Sequence, residues 1–249
     1  EGHNSAGRTA MRLAIITGGS TGLGLELCRQ CAEQGYQLVE FSRRAPHPFS
    51  VRVDLAQPAK SRQTVRRAIA ALAPEALTEL LVVSNAGTLA PIGPAAKKTR
   101  AAVLASLNTN FTSAILVLTE TIARFQQTPC RKVIANVSSG AARKGYAGWS
   151  LYCAAKAGME RFIETLAIEQ QAEEHPFLPI NINPGVMDTA MQAAIRAAAP
   201  TDFPDQQRFI DSQEQGLLVD PARVAERLLQ IIVMPELNGG ARYNAAEQR

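Results

Sequence analysis

Apolar residues along the chain alternate between two periods. Residues 12–17 (RLAIIT) form a short, nearly continuous apolar run, and residues 23–34 then place Leu23, Leu27 and Cys31 on one helical face. The same change of period recurs down the chain. Strands are predicted at 37–41, 50–53, 80–84, 132–137, 179–183 and 240–244, and helices at 59–72, 101–125, 151–171 and 221–232. Strands that alternate with helices and are apolar on both sides imply a parallel sheet covered on both faces, an α/β doubly wound fold. No Pro/Gly/Ser linker and no fixed-period repeat divides the chain, so residues 11–249 read as a single domain. One stretch, 187–216, breaks the rhythm. It follows the sixth strand, carries Met187, Met191, Phe203 and Phe209, and reads as a helical lid over a substrate site.

Composition narrows the class. The chain has 249 residues, 46% of them hydrophobic, with 26 Lys and Arg against 22 Asp and Glu for a net charge of +4. The basic residues are scattered, so no nucleic-acid footprint is expected, and the short apolar runs at 80–83 and 228–234 predict no membrane span. Residues 1–10 are small and polar and read as a disordered or artificially appended tail. Four cysteines, of which Cys28 and Cys31 share a helical pattern, suit a cytoplasmic, reduced-thiol protein; no metal site is expected.

Candidate chemistry begins between the first strand and the first helix. Gly18, Gly22 and Gly24, with Ser20, Thr21 and Leu23 between them, form a turn that lets a pyrophosphate approach the free amides of a helix N-terminus, as in a Rossmann-type dinucleotide site. The second strand ends in Glu40, Phe41, Ser42, Arg43, Arg44. Ser42 and Arg43 suit the 2′-phosphate of NADP(H), whereas Glu40 has the side-chain parity of a carboxylate that would hold the ribose of NAD(H). NADP(H) is the preferred reading. On the helix at 151–171, Tyr152 and Lys156 lie four residues apart on one face, where an ammonium favours the phenolate and lowers the phenol's pKa.

Five segments occur in order: the glycine turn from Thr17 to Gly24, Asn85-Ala86-Gly87, Ser139, Tyr152 with Lys156, and Pro184-Gly185. Together they resemble the short-chain dehydrogenase/reductase family over nearly the whole chain. The resemblance implies that Tyr152 is the general acid/base, that Lys156 holds the nicotinamide ribose, and that Ser139 binds the substrate carbonyl. It also implies that Asn110 sits at a break in its helix and holds a water behind the lysine, with Asn108 and Ser138 as rivals of Asn110 and Ser139. Asp54 would contact adenine, Asn85, Ala86 and Gly87 would line the adenosine side, and Pro184, Gly185, Val186 and Thr189 would border the nicotinamide.

Further segments, among them Gly148-Trp149-Ser150-Leu151-Tyr152 and the run from Pro184 to Gln192, resemble the branch of that family that holds the sepiapterin and benzil reductases. That branch implies NADPH-dependent reduction of one carbonyl of an α-dicarbonyl. Asn244 stands where sepiapterin reductases carry the acid that anchors the pterin, so a charge-assisted contact is missing. Trp149, Met187, Met191, Phe203 and Phe209, with Asn244, then form the expected substrate pocket, apolar enough for aryl or alkyl dicarbonyls. Family members usually pair through two long helices, which implies a homodimer. Two other functions fit the same motifs: a broader alcohol or 3-oxoacyl dehydrogenase/reductase, and a non-catalytic NADP(H)-sensing protein.

Overall fold

A computed structural model of the chain describes residues 11–75 and 77–246. The tail at residues 1–10 lies outside the described residues. Seven strands form one sheet: β1 (Met11–Thr17), β2 (Gln37–Ser42), β3 (Ser50–Arg52), β4 (Leu77–Ser84), β5 (Arg131–Val137), β6 (Phe177–Asn183) and β7 (Arg242–Asn244). Their order is β3-β2-β1-β4-β5-β6-β7, and every pairing is parallel.

The two-residue period of the strands decides what covers each face. Ala14, Ile16, Leu81 and Val83 pack with Leu27, Val224 and Leu228 of helices α1 (Gly22–Glu33) and α8 (Pro221–Ile232). Leu13, Ile15, Leu80 and Val82 turn the other way. They meet Val65, Val117 and Ile163 of α2 (Pro58–Ala70), α4 (Ser113–Phe125) and α5 (Ser150–Gln170). A parallel sheet has both faces buried, which is why its strands are apolar runs without alternation. Cys28 and Cys31 lie in the first of these cores, and burial pushes both thiols up to about 12. They are structural apolar groups here.

The helix expected at 101–125 is interrupted. It consists of α3 (Arg100–Leu107), one π turn at Asn108–Thr112, and α4. The composite run, Arg100–Phe125, is long and apolar enough to cross a membrane by length and composition, contrary to the expectation that no such stretch exists. A third of its most apolar window is buried, with Val117, Leu118 and Phe125 packed into the core. The segment expected to form a lid holds two helices, α6 (Ala190–Arg196) and α7 (Gln206–Glu214). Chain order reverses between β1 and β4, and the crevice beyond the carboxyl ends of such strands is where ligands bind in this architecture.

Candidate active site

At the end of β1 the chain turns within a space that admits only glycine. Gly18 has φ +74°, and a side chain there would press against the Ala86 backbone at 2.8 Å; a Cβ on Gly24 would stand 2.1 Å from the Gly18 carbonyl. The turn is therefore packed onto the loop after β4. Asn85 donates to the carbonyls of Thr17 and Gly18, both at 3.1 Å, and the Thr17 hydroxyl accepts from the amides of Asn85 and Ala86. Thr21 caps α1 in extended geometry without a side-chain bond to its first amides. Those amides remain available to an anion. The Thr189 methyl lies over Gly22, which brings the base of the lid onto the same turn.

Beside that turn, the end of β2 differs from expectation. Glu40 is fully buried and accepts from the Gly19 amide at 2.8 Å, the Ser50 hydroxyl at 2.6 Å and the Ser42 hydroxyl at 3.1 Å. Its carboxylate braces the glycine turn from below and is not presented to a ribose. Ser42 is likewise committed, since its oxygen also accepts from the Ala45 amide. It shapes the bend that projects Arg43, with its hydroxyl hydrogen directed to Glu40. Arg43 and Arg44 are exposed at this edge. His47, not anticipated from sequence, joins them by a hydrogen bond between Nε2 and the Gly19 carbonyl at 3.0 Å. Asp54 closes the turn ahead of α2 by accepting from the Ala56 amide and the Gln57 side-chain amide.

The two members of each rival pair point in different directions. Ser138 donates its hydroxyl to the buried Glu160, away from the pocket, while Ser139 lies against the Tyr152 phenol and draws its pKa downward. Asn108 donates to Ala56, whereas Asn110 is buried in the π turn and clasps Thr88, accepting from its amide and donating to its carbonyl, both at 2.8 Å. Asn110 and Lys156 converge on Gly87, where a Cβ would stand 3.2 Å from the asparagine oxygen and 3.9 Å from the lysine nitrogen. A π turn that displaces one side chain from helical register is a common device at functional sites.

Lys156 donates to the Val137 carbonyl at 2.7 Å and lies over the Tyr152 ring, 5.7 Å from its centroid. The expectation that it lowers the Tyr152 pKa is not met. Burial dominates and pushes the phenol up to about 12, and burial likewise pushes the lysine down to about 8, with the charge of Glu160 opposing that fall. The ammonium is anchored to a carbonyl and faces the ring, so desolvation of the phenolate prevails.

Over these groups sits an aromatic cluster. Trp149 stacks on Phe203 at 4.5 Å and 2°, meets Phe209 at 5.5 Å, and presents its edge to Tyr152 at 5.9 Å; Tyr146 completes it. Trp149, Phe203 and Phe209 are thus brought together as expected, with Leu89 and Ile195 beside them. The Trp149 indole N–H is buried without a hydrogen-bond partner among the described residues. Three other pocket residues fall elsewhere. Met187 packs on the α1–α8 side of the core and bridges to Val219, and Met191 is exposed on α6. Asn244 is exposed at the end of β7 and accepts from Asn183 at 3.0 Å. The turn at Pro184-Gly185 packs against Ala246, and Val186 is exposed.

The short chain dehydrogenase family model matches residues 12–200, which span the glycine turn, Ser139, Tyr152 and Lys156. The chain belongs to this family. Among its relatives, the benzil reductase ((S)-benzoin forming) of Bacillus subtilis is 32% identical over 234 residues, covering 92% of this chain and 96% of that one. The sepiapterin reductase of Rattus norvegicus is 31% identical over 173 residues, 68% of this chain and 63% of its own. In fold, the chain resembles a short chain dehydrogenase from Shigella flexneri 2a, solved complexed with NADP. That likeness has a TM-score of 0.74 and 21% identity, and covers 96% of this chain and 98% of the other. Family membership makes the protein an oxidoreductase of the short-chain kind, and benzil and sepiapterin reductases are among the relatives it resembles.

Proposed function

We propose that the protein is an NADPH-dependent carbonyl reductase that converts one carbonyl of an apolar α-dicarbonyl to an alcohol. The observation that carries this reading is the convergence of Ser139, Tyr152 and Lys156 beneath the Trp149, Phe203 and Phe209 cluster. The glycine turn from Gly18 to Gly24 and the open amides of α1 would hold the pyrophosphate. Asp54, Asn85, Ala86 and Gly87 lie toward the adenosine, and Pro184, Gly185, Val186 and Thr189 toward the nicotinamide. Arg43 would take the 2′-phosphate, a group that guanidinium binds in bidentate fashion. The enclosure of Glu40 supports NADP(H) over NAD(H), because its buried carboxylate already accepts three hydrogen bonds within the fold.

The cofactor, when bound, supplies a hydride to the carbonyl carbon. Negative charge then grows on the carbonyl oxygen, where the hydroxyls of Ser139 and Tyr152 donate. Tyr152 passes its proton to that oxygen and completes the alcohol, while Lys156 over the ring offsets the charge left on the phenol. A raised phenol pKa keeps the acid loaded at neutral pH. Asn110 fixes Thr88 and the floor beside Lys156. The partnerless Trp149 N–H offers a donor for a second oxygen, which an α-dicarbonyl has and a simple ketone lacks. Asn244, neutral and paired with Asn183, argues against pterins. The protein is further proposed to be cytoplasmic, with four free thiols, and to pair as a homodimer through α3–α4 and α5, where Leu104 and Ile168 are exposed.

The test is a substrate panel followed by loss of nicotinamide absorbance: benzil, a phenyl-alkyl dione, sepiapterin and a simple ketone, each with NADPH and with NADH. Consumption of the diones with NADPH, and little of sepiapterin, is expected. Preference for secondary alcohols with NAD⁺ would instead favour a broader dehydrogenase, and NADPH binding without any turnover a sensor.

A further inference from the structure

Behind the catalytic serine lies a buried charge cluster that the reaction as described does not use. Glu160 is on α5, one turn beyond Lys156 and two beyond Tyr152, on the same face, and its side chain is only 4% exposed. One carboxylate oxygen accepts from the Ser138 hydroxyl and from Arg242 at 3.0 Å; the other accepts from Arg143 at 2.7 Å. Arg242 comes from β7, and its second nitrogen donates to the Ser139 carbonyl at 3.0 Å. Asn181 of β6 donates to the Glu160 backbone carbonyl. Two successive serines at the end of β5 are therefore gripped from behind, one by its hydroxyl and the other by its carbonyl.

We infer that Glu160 is a positioning residue for the reduction proposed above: with Arg242 it fixes Ser139 opposite Tyr152, and it keeps a negative charge one helical turn behind Lys156. The inference rests on that proposed reduction. Adjacent residues of an extended segment point in opposite directions, so anchoring Ser138 inward is what turns Ser139 toward the phenol. A carboxylate buried between two guanidiniums contributes little net stability against an apolar replacement, so its place beside the reacting groups, not fold stability, accounts for it best. The charged and titratable groups facing it are Arg143 from the turn after β5, Arg242 from β7, and Lys156 and Glu164 from α5 itself, the last sharing Arg143. Lys156 in turn faces Tyr152, Glu160, the Val137 carbonyl and neutral Asn110.

Two variants test this. Glu160→Gln keeps the shape and removes the charge; Arg242→Lys keeps the charge but cannot reach both Glu160 and the Ser139 carbonyl with one ammonium. Each is expected to lower kcat for benzil about tenfold with KM changed less than about twofold, the mark of a displaced reacting group. The high-pH fall of kcat should move to lower pH in Glu160→Gln and stay in place in Arg242→Lys. Isotope-labelled lysine NMR of the cofactor-free protein, with Lys156→Met for assignment, should show the Lys156 titration shifted the same way in Glu160→Gln. A folded variant with wild-type kcat, or an unmoved Lys156 titration in Glu160→Gln, would overturn the inference. If Glu160→Gln does not fold, the kcat of Arg242→Lys decides. Wild-type protein that leaves benzil untouched would refute the proposed reduction instead, and the lysine titration would still judge Glu160.

Discussion

At the scale of single residues, the polar groups near the cofactor edge divide into those already spent and those still open. Glu40 accepts three hydrogen bonds and Ser42 makes two, all within the fold, whereas Arg43 stands exposed at the bend they build. Strand parity alone put Glu40 and Ser42 on the same side, and it could not show that both are engaged within the fold. The hydroxyl that closes on Glu40 comes from Ser50, on β3, and the amide comes from the glycine turn. Neither neighbour is apparent until the sheet is assembled. Arg43→Ala should therefore raise KM for NADPH by about 10- to 100-fold, the loss of a charge-assisted contact, and leave KM for NADH nearly unchanged. Steady-state kinetics with both cofactors measures this. Equal effects on the two would move the 2′-phosphate site elsewhere.

At the scale of elements, the proposed lid is joined to α5 by stacked rings. Phe203 is fully buried against Trp149, which immediately precedes α5, and Lys97 pairs with Asp202 at 2.9 Å beside it. The aromatic content of 187–216 was legible in the sequence, and Phe203 and Phe209 do face Tyr152's cluster. Met187 was misplaced because the chain there still follows β6 and forms a parallel bridge to Val219 before the lid departs. The break at Asn110 was implied by the family resemblance alone, since 101–125 keeps an apolar helical pattern throughout and one extra residue in a turn leaves no mark on composition. Phe203→Ala opens a cavity under the lid. It should cost about 3 kcal/mol, seen as a lower Tm, and raise KM for benzil more than it lowers kcat. Unchanged KM would mean that the lid does not touch the substrate.

At the scale of the whole molecule, the site is an assembly from distant parts of the chain. The glycine turn leaves β1, Asn85 to Gly87 leave β4, Ser139 follows β5, and Tyr152 and Lys156 stand on α5, all at the carboxyl edge of one parallel sheet. This much was readable in advance, because the apolar periods give the βα order and that order places successive strand ends on one edge. The tie between Glu160 and Arg242 spans 82 positions and joins α5 to the last strand, so no local spacing announces it. What the assembly does chemically turns on one proton. Side-by-side turnover of benzil with NADPH by wild type and Tyr152→Phe, alongside direct measurement of NADPH binding, is the decisive comparison. Phenylalanine keeps the ring in its aromatic setting and removes only the hydroxyl. Turnover should fall by about 10²- to 10⁴-fold while NADPH affinity stays near wild type. A Tyr152→Phe protein that reduces benzil at close to the wild-type rate would contradict the assignment of Tyr152 as the proton donor, and with it the catalytic reading of this site.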